Sequence, residues 1–247
     1  SSYDIEQVVV TGNMKETFLS ASSVKVDVVT QKFLKKIATA NVMEVIENVN
    51  GVQKQINCGV CGTNNIHING MEGPYTLVLI NGMPIMSSLS SVYGLNGIPT
   101  YLIKQIEIIK GPSSTLYGSE AVAGVINILT KDPMDVSKIE VESFITSHLE
   151  KNIDFAYAPK MKQVDLLFSG NYFKMYNFLD DNKDNFTDIP FSERLSLFNQ
   201  WNFKRKSQKK FSLSTKYYLE DRSGCVKEWN ENLRGNDSIY GESIYTD

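Results

Sequence analysis

Two clusters in this chain have the residue types and spacing to do chemistry. Cys58-Gly59-Val60-Cys61 stands inside the loop 57–65 (NCGVCGTNN) with the Cys-x-x-Cys spacing. Such a pair can close a tight disulfide in an oxidising compartment, ligate a metal or a haem iron through thiolate, or cycle between thiol and disulfide. A structural metal needs two further ligands, which cannot be placed from the sequence. A redox pair of the thioredoxin kind needs a following helix to depress the thiol pKa, whereas Gly62, Thr63, Asn64 and Asn65 read as loop. The disulfide reading leads, and the other two stay open. The second cluster is Asp180, Asn182, Asp184 and Asp188, whose oxygens follow the opening spacing of a calcium loop. Asn185 stands where that loop needs glycine and Phe191 where it needs glutamate, so a solvated acidic loop is the default and no resident metal is expected.

Little else is available to an enzyme. His67 and His148 are the two histidines and fall in separate halves of the chain. No Gly-x-Ser-x-Gly elbow, phosphate-binding glycine loop with lysine or His-Glu-x-x-His helix occurs, and Gly111-Pro112-Ser113-Ser114 reads as a turn. Enzyme activity and a cofactor are therefore not expected. The balance of 25 basic against 28 acidic residues, net −3, offers no basic patch to collect phosphates, so nucleic acid is not an expected partner. No apolar run reaches the roughly 18 residues of a membrane helix, which leaves a membrane barrel open, since its strands carry only a weak alternating signal. The odd count of 3 cysteines leaves at least one without an internal partner. The chain opens at Ser1 with no charged or apolar leader, so an export signal is expected to have been removed or to lie outside this sequence.

The elements that must position these residues change character near Lys131-Asp132-Pro133. Before that point short helices and strands mix. Thr30 can cap a helix through about Ile37, and Asn41 a second in which Val42, Val45, Ile46 and Val49 are apolar before Gly51 ends it. Strands are expected around 52–56, 66–69, 75–82, 106–110 and 124–130, most followed by a glycine, with one helical turn over 113–117 closed by Gly118. The run Glu6, Gln7, Val8, Val9, Val10, Thr11, with its β-branched residues, favours an extended backbone that could add to the edge of a partner sheet.

After Pro133 the period becomes two. Val164, Leu166, Phe168 and Tyr172 share a face opposite Asp165, Ser169 and Asn171. Phe211, Leu213, Thr215, Tyr217 and Leu219 repeat this against Ser212, Ser214, Lys216 and Glu220. Ile139, Val141 and Ile145 do so more loosely, as do Leu195, Leu197, Trp201 and Phe203. Runs of about 10 residues suit tilted membrane strands. Short turns at 159–163 and 205–209 alternate with long polar connections at 177–193 and about 221–238, as periplasmic turns and extracellular loops do. By pattern alone, a soluble antiparallel sandwich fits as well.

Taken in order, residues 5–12 (IEQVVVTG), 75–82 (YTLVLING) and 98–131 (IPTYLIKQIEIIKGPSSTLYGSEAVAGVINILTK) resemble the plug domain of TonB-dependent outer-membrane receptors, nearest the colicin I receptor and vitamin B12 receptor branch. The resemblance implies an α+β plug over 1–133, a small mixed sheet with short helices, carrying an N-terminal TonB box. Over 134–247 it implies the first antiparallel strands of a transmembrane β-barrel, incomplete here because family barrels have about 22 strands. On this reading Glu6, Gln7, Val8, Val9, Val10 and Thr11 are the TonB box. Cys58, Cys61, Thr63 and Asn64 lie on one ligand-contacting apex and Met86, Ser87, Ser88 and Tyr93 on a second. Asn69 and Lys110 stand where related plugs carry arginines that pair with barrel-wall carboxylates, so Lys110 is the expected plug-to-barrel contact. An arginine fork has become an amide and a point charge, which makes that lock weaker or different. The implied activity is gated import of a metal chelate, whether ferric siderophore, haem or corrinoid, across the outer membrane of a Gram-negative bacterium. TonB with its inner-membrane energising complex and outer-membrane lipid are the implied partners, with room for a surface lipoprotein over the barrel. A glycan importer of the same superfamily, or a surface binding or adhesion barrel without transport, is the alternative.

Overall fold

The structure is a computed structural model of the 247 residues, and it describes residues 7–12, 14–37, 39–58, 63–84, 95, 98–205, 211–233 and 239–246. It divides into two compact units. One comprises Ser1–Gln55, Asn64–Asn96 and Leu102–Lys131; the other comprises Ile56–Thr63, Gly97–Tyr101 and Asp132–Asp247.

In the first part of the chain the elements run β1 (Val8–Val9), β2 (Thr17–Phe18), β3 (Val26–Thr30), α1 (Gln31–Leu34), α2 (Val42–Ile46), β4 (Val52–Cys58), β5 (Thr63–Ile68), β6 (Thr76–Ile80), β7 (Met83–Pro84), β8 (Ile103–Lys110), α3 (Ser114–Tyr117) and β9 (Gly124–Thr130). Thr30 caps α1 by accepting the Phe33 amide at 3.4 Å, and Asn41 caps α2 by accepting the Met43 amide at 2.9 Å. The α-helical span of α1 is shorter than the sequence suggests. The amides of Lys36 and Ile37 donate to Phe33 and Leu34, so the last turn tightens to three-residue spacing. Asn69-Gly70 and Asn81-Gly82 both have positive φ at each residue, the backbone of a two-residue hairpin turn. Asn69 is thus explained by its turn, because asparagine tolerates the left-handed region better than most residues.

Five strands form a mixed sheet in the order β3-β8-β9-β6-β7, with β6 and β9 parallel and the other neighbours antiparallel. Its register puts Ile106, Ile108, Ile126 and Ile128 on one face and Val26, Ile109, Val125, Leu77 and Leu79 on the other. Both sets are buried, which is why these strands read as near-continuous apolar runs and not as alternating ones. On the second face Val9 joins Val26, Leu77, Leu79, Ile109, Ala121 and Val125 in one core cluster. Two buried polar residues interrupt that face. Glu107 and Asn127 sit directly opposite each other on β8 and β9, and both are buried.

The second unit contains a six-stranded antiparallel meander: β10 (Ile139–Ile145), β11 (Lys151–Tyr157), β12 (Val164–Met175), β13 (Phe191–Phe203), β14 (Phe211–Cys225) and β15 (Gly241–Thr246). β13 starts before, and β14 ends beyond, the limits expected from polarity. Ser192 and Arg222 look like loop residues in sequence, yet they continue the ladder on its polar face, where the Ser192 hydroxyl donates to Glu220 at 2.8 Å.

That face decides between the two architectures the alternating pattern allowed. A soluble sandwich buries its apolar face, whereas here Ile139, Ile145 and Leu213 are 59, 68 and 51 % exposed while Ser169, Asn171 and Glu220 are 0, 4 and 2 % exposed. Asn171 donates to Asn152 at 2.8 Å and to Asp154 at 2.7 Å, tying three buried polar side chains across β11 and β12. A sheet with its apolar face outward and its polar face enclosed is the pattern of a membrane barrel wall.

A Cβ on Gly124 would collide with the Ile109 carbonyl and stand 3.0 Å from Ile68, at the point where β8 and β9 meet. Gly124→Ala is expected to lower stability in denaturant unfolding by about 1–3 kcal/mol. A change below about 0.5 kcal/mol would show that this close approach does not constrain the sheet.

Candidate functional site

The most developed polar site in the first unit is the seat of the N-terminal strand. Val8–Val9 pairs antiparallel with Thr17–Phe18, and the Leu19 amide donates to the Gln7 carbonyl at 2.7 Å. This ladder occupies one edge of the segment. The other edge is met by side chains standing in for a neighbouring strand. Gln105 Nε2 donates to the Val8 carbonyl at 3.0 Å, and the Glu107 carboxylate accepts the Val10 amide at 3.0 Å and the Thr11 amide at 2.7 Å.

Glu107 is the centre of this arrangement. Besides the two amides it accepts the Thr11 hydroxyl at 2.5 Å and Gln105 Nε2 at 2.7 Å. A buried carboxylate is tolerated only when its lone pairs are filled, and hydrogen bonds to a charged group contribute about 1.5–3 kcal/mol each. Two other groups hold the end of the segment: Asn127 Nδ2 donates to Thr11 Oγ1 at 3.0 Å, and the Tyr117 hydroxyl donates to the Thr11 carbonyl at 2.7 Å. Val9 adds a fully buried side chain, worth roughly 1.5–3 kcal/mol against exposure. Burial and, secondarily, the Glu107 charge raise the Tyr117 phenol above its ordinary pKa.

Of the residues singled out in sequence, Gln7, Val8, Val9, Val10 and Thr11 are brought together at this seat, and Glu6 lies outside the described residues. Neither edge of Val8–Val9 is free in this state, so a second chain can add to the segment only by displacing β2 or the Gln105 and Glu107 side chains. The two expected apices are only partly described. Thr63 and Asn64 open β5 and Cys58 ends β4, but Cys61, Met86, Ser87, Ser88, Tyr93 and the side chain of Cys58 lie outside the described residues.

Lys110 makes two contacts within the first unit. Its ammonium pairs with Asp27 at 2.5 Å and with the Asn50 carbonyl. β3 and β8 are neighbours, with Asp27 opposite Ile108, and a flexible ammonium reaches the nearer carboxylate. In the acidic loop, Asp180 accepts the amides of Asp184 and Asn185, and Asp188 accepts that of Asp181. The carboxylates serve their own backbone turns, and among the described residues no group of three or more metal-ligating side chains converges.

Glu107, Gln105, Tyr117 and Asn127 were not singled out in the sequence. The signal was present: one carboxylate inside IKQIEIIK and one amide inside GVINILT. A polar side chain inside a strand apolar on both faces must find a partner, and here that partner is the N-terminal segment.

The TonB-dependent Receptor Plug Domain family matches residues 19–125. This part of the chain is a TonB-dependent receptor plug. Over 125 residues, 51 % of this chain, it is 32 % identical to the vitamin B12 transporter BtuB of Vibrio vulnificus strain YJ016, of which it covers 20 %. It is likewise 32 % identical over 126 residues to the vitamin B12 transporter BtuB of a Vibrio cholerae serotype O1 strain, covering 21 % of that protein. The chain therefore spans about a fifth of these relatives' length. Among solved structures, the siderophore receptor PirA of Acinetobacter baumannii superposes with a TM-score of 0.62 at 23 % identity over 81 % of this chain and 32 % of that one. The ferric-catecholate import receptor Fiu of E. coli K12 gives 0.64 at 19 % identity over 85 % of this chain and 28 % of that one. These two likenesses establish the fold, a plug followed by part of a barrel. The segment Val8–Thr11, which includes β1, precedes the matched span, so the plug seats a segment that the family match does not include.

The Tyr117 phenol gives the seat a pH dependence whose sign is fixed. Its proton is held more tightly in the seated state, so this contribution is present below the ordinary tyrosine pKa near 10 and is lost as pH rises through the raised value. Loss of that proton removes the donor to Thr11 and sets a second negative charge near Glu107. Amide hydrogen exchange over residues 8–11, corrected for intrinsic rate, is expected to accelerate above about pH 10, with the alkaline step absent in Tyr117→Phe. An identical step in that variant would assign it to another group.

Proposed function

We propose that this chain is the plug and opening barrel wall of a TonB-dependent outer-membrane receptor that imports a metal chelate. The observation that carries the reading is a short β-branched strand held on both edges by the plug. It is a segment built for extension, kept from a partner sheet until it leaves its seat. The exposed apolar face of β10–β14 fits the lipid of an outer membrane, which the strands of a closed barrel can cross. A chelate, whether corrinoid, haem or ferric siderophore, follows by analogy with relatives named as vitamin B12 transporters and with structural neighbours named as siderophore receptors.

In this reading the seated strand is the waiting state. Its release returns Val10, Thr11 and the Glu107 carboxylate to water, so the net cost of leaving is far below the sum of the bonds broken. Ligand on the outer side shifts that balance only through different affinities for the seated and released states. TonB then takes the released segment by adding a strand to it, and work from the inner-membrane proton gradient opens the plug.

The test is binding of the full-length receptor to haem, ferric siderophores, cobalamin and oligosaccharides, with Cys58 and Cys61 intact or both changed to Ser. One metal chelate is expected to bind tightly, and a weaker affinity in the double variant places the Cys-x-x-Cys loop at the site. Binding of oligosaccharide alone would overturn the chelate reading in favour of glycan import.

A further inference from the structure

One buried amide joins the seat of the N-terminal strand to the turn at the far end of β6. Asn127 is 1 % exposed and uses both ends of its side chain. Its Nδ2 donates to Thr11 Oγ1 at 3.0 Å, and its Oδ1 accepts the Gly82 amide at 3.0 Å. Gly82 is the second residue of the Asn81-Gly82 hairpin turn that leads into β7, and β7 leads in sequence towards Met86. The turn has a second hold on the same strand. Asn81 accepts the Thr130 amide at 2.9 Å and donates to its hydroxyl at 2.9 Å, and the Asn81 amide donates to the Ile128 carbonyl at 2.9 Å.

We propose that Asn127 is the positioning residue that couples the β6–β7 hairpin to the seated strand, so that each is held more firmly while the other is in place. The proposal rests on the gated-import reading for its purpose, though not for its physics. Thr11 Oγ1 has one proton, which goes to Glu107, and its lone pair takes the Asn127 donor. That polarity fixes the amide orientation: nitrogen faces Thr11, so oxygen faces the turn and receives Gly82 N–H. If Thr11 withdraws, the amide loses the group that sets its orientation, and either end can rotate towards the vacated space. The Gly82 amide then loses its acceptor for part of the time. The reverse holds by linkage: a change in β7 that pulls Gly82 away frees Asn127 and loosens Thr11 by the same factor. Asn127 is therefore a route by which events on the β7 side reach the strand without contact between them.

The experiment is amide hydrogen exchange in the full-length receptor, read separately over residues 8–11 and at Gly82, for the parent, Thr11→Val and Thr11→Ser. Valine keeps the shape and removes the hydroxyl; serine restores it. With Thr11→Val both regions are expected to exchange about fivefold faster or more, the lower end of ordinary coupling, and Thr11→Ser returns both towards the parent. Faster exchange over 8–11 with Gly82 unchanged would overturn the coupling, as would no change in either region. The readout needs neither ligand nor TonB. A failed coupling would leave the import reading intact, and a failed ligand panel would leave the coupling intact.

Discussion

The plug's first unit depends on one constraint: a carboxylate buried in the middle of a central strand must have its lone pairs filled. Glu107 stands on β8 with sheet on both sides, at a place where an apolar residue would pack without cost. Besides Gln105 on its own strand, what fills its lone pairs is a piece of chain nearly a hundred residues earlier in sequence, through two amides and a hydroxyl. Replacing such a group with an apolar one of the same shape is often neutral or stabilising in other proteins. A buried charge whose donors come from a separable strand is better suited to a two-state contact than to permanent stability. The strand satisfies the carboxylate when seated, and water can satisfy both when it leaves.

The same economy explains the shape of the site. Gln105 and Glu107 follow the two-residue period of β8, so their heads line up as a false strand edge against Val8, Val10 and Thr11. On the opposite edge β2 supplies a true ladder of only two residues. Val9 provides the apolar anchor between them. The seat is thus made of a few strong, reversible contacts and one buried side chain, and lacks the long ladder that would make release slow and expensive. Asn127, opposite Glu107 in the register, extends the seat to the next hairpin.

Much of the scaffold was legible because local chemistry agreed with it. Thr30 and Asn41 cap the helices they announce, the glycines Gly70 and Gly82 fall in tight turns, and the period-two runs after Pro133 become strands with the expected faces. The ends of β13 and β14 were less legible, because inward-facing residues of a barrel wall are as polar as loop residues. The pairing of Lys110 with Asp27 was not legible, because a family position does not say which of several carboxylates a flexible ammonium will reach. Glu107 and Asn127 were overlooked because hydrophobic periodicity counts a single polar residue in an apolar run as noise, whereas in a sheet buried on both faces it demands a partner.

The central claim is that Glu107 keeps Val8–Thr11 from a partner. In Glu107→Gln one of the two acceptor oxygens becomes an NH2 donor, so either the Val10 and Thr11 donors or Gln105 Nε2 meet a donor where they now meet an oxygen, and the charge behind the remaining bonds is lost while volume and shape are kept. The direct measurement is the affinity of the periplasmic domain of TonB for the full-length receptor, parent against Glu107→Gln. Since each 1.4 kcal/mol of lost seating is worth about tenfold in the population of the free strand, binding is predicted to tighten by about that factor. Unchanged or weaker binding would contradict the account, because the carboxylate would then not be what withholds the strand.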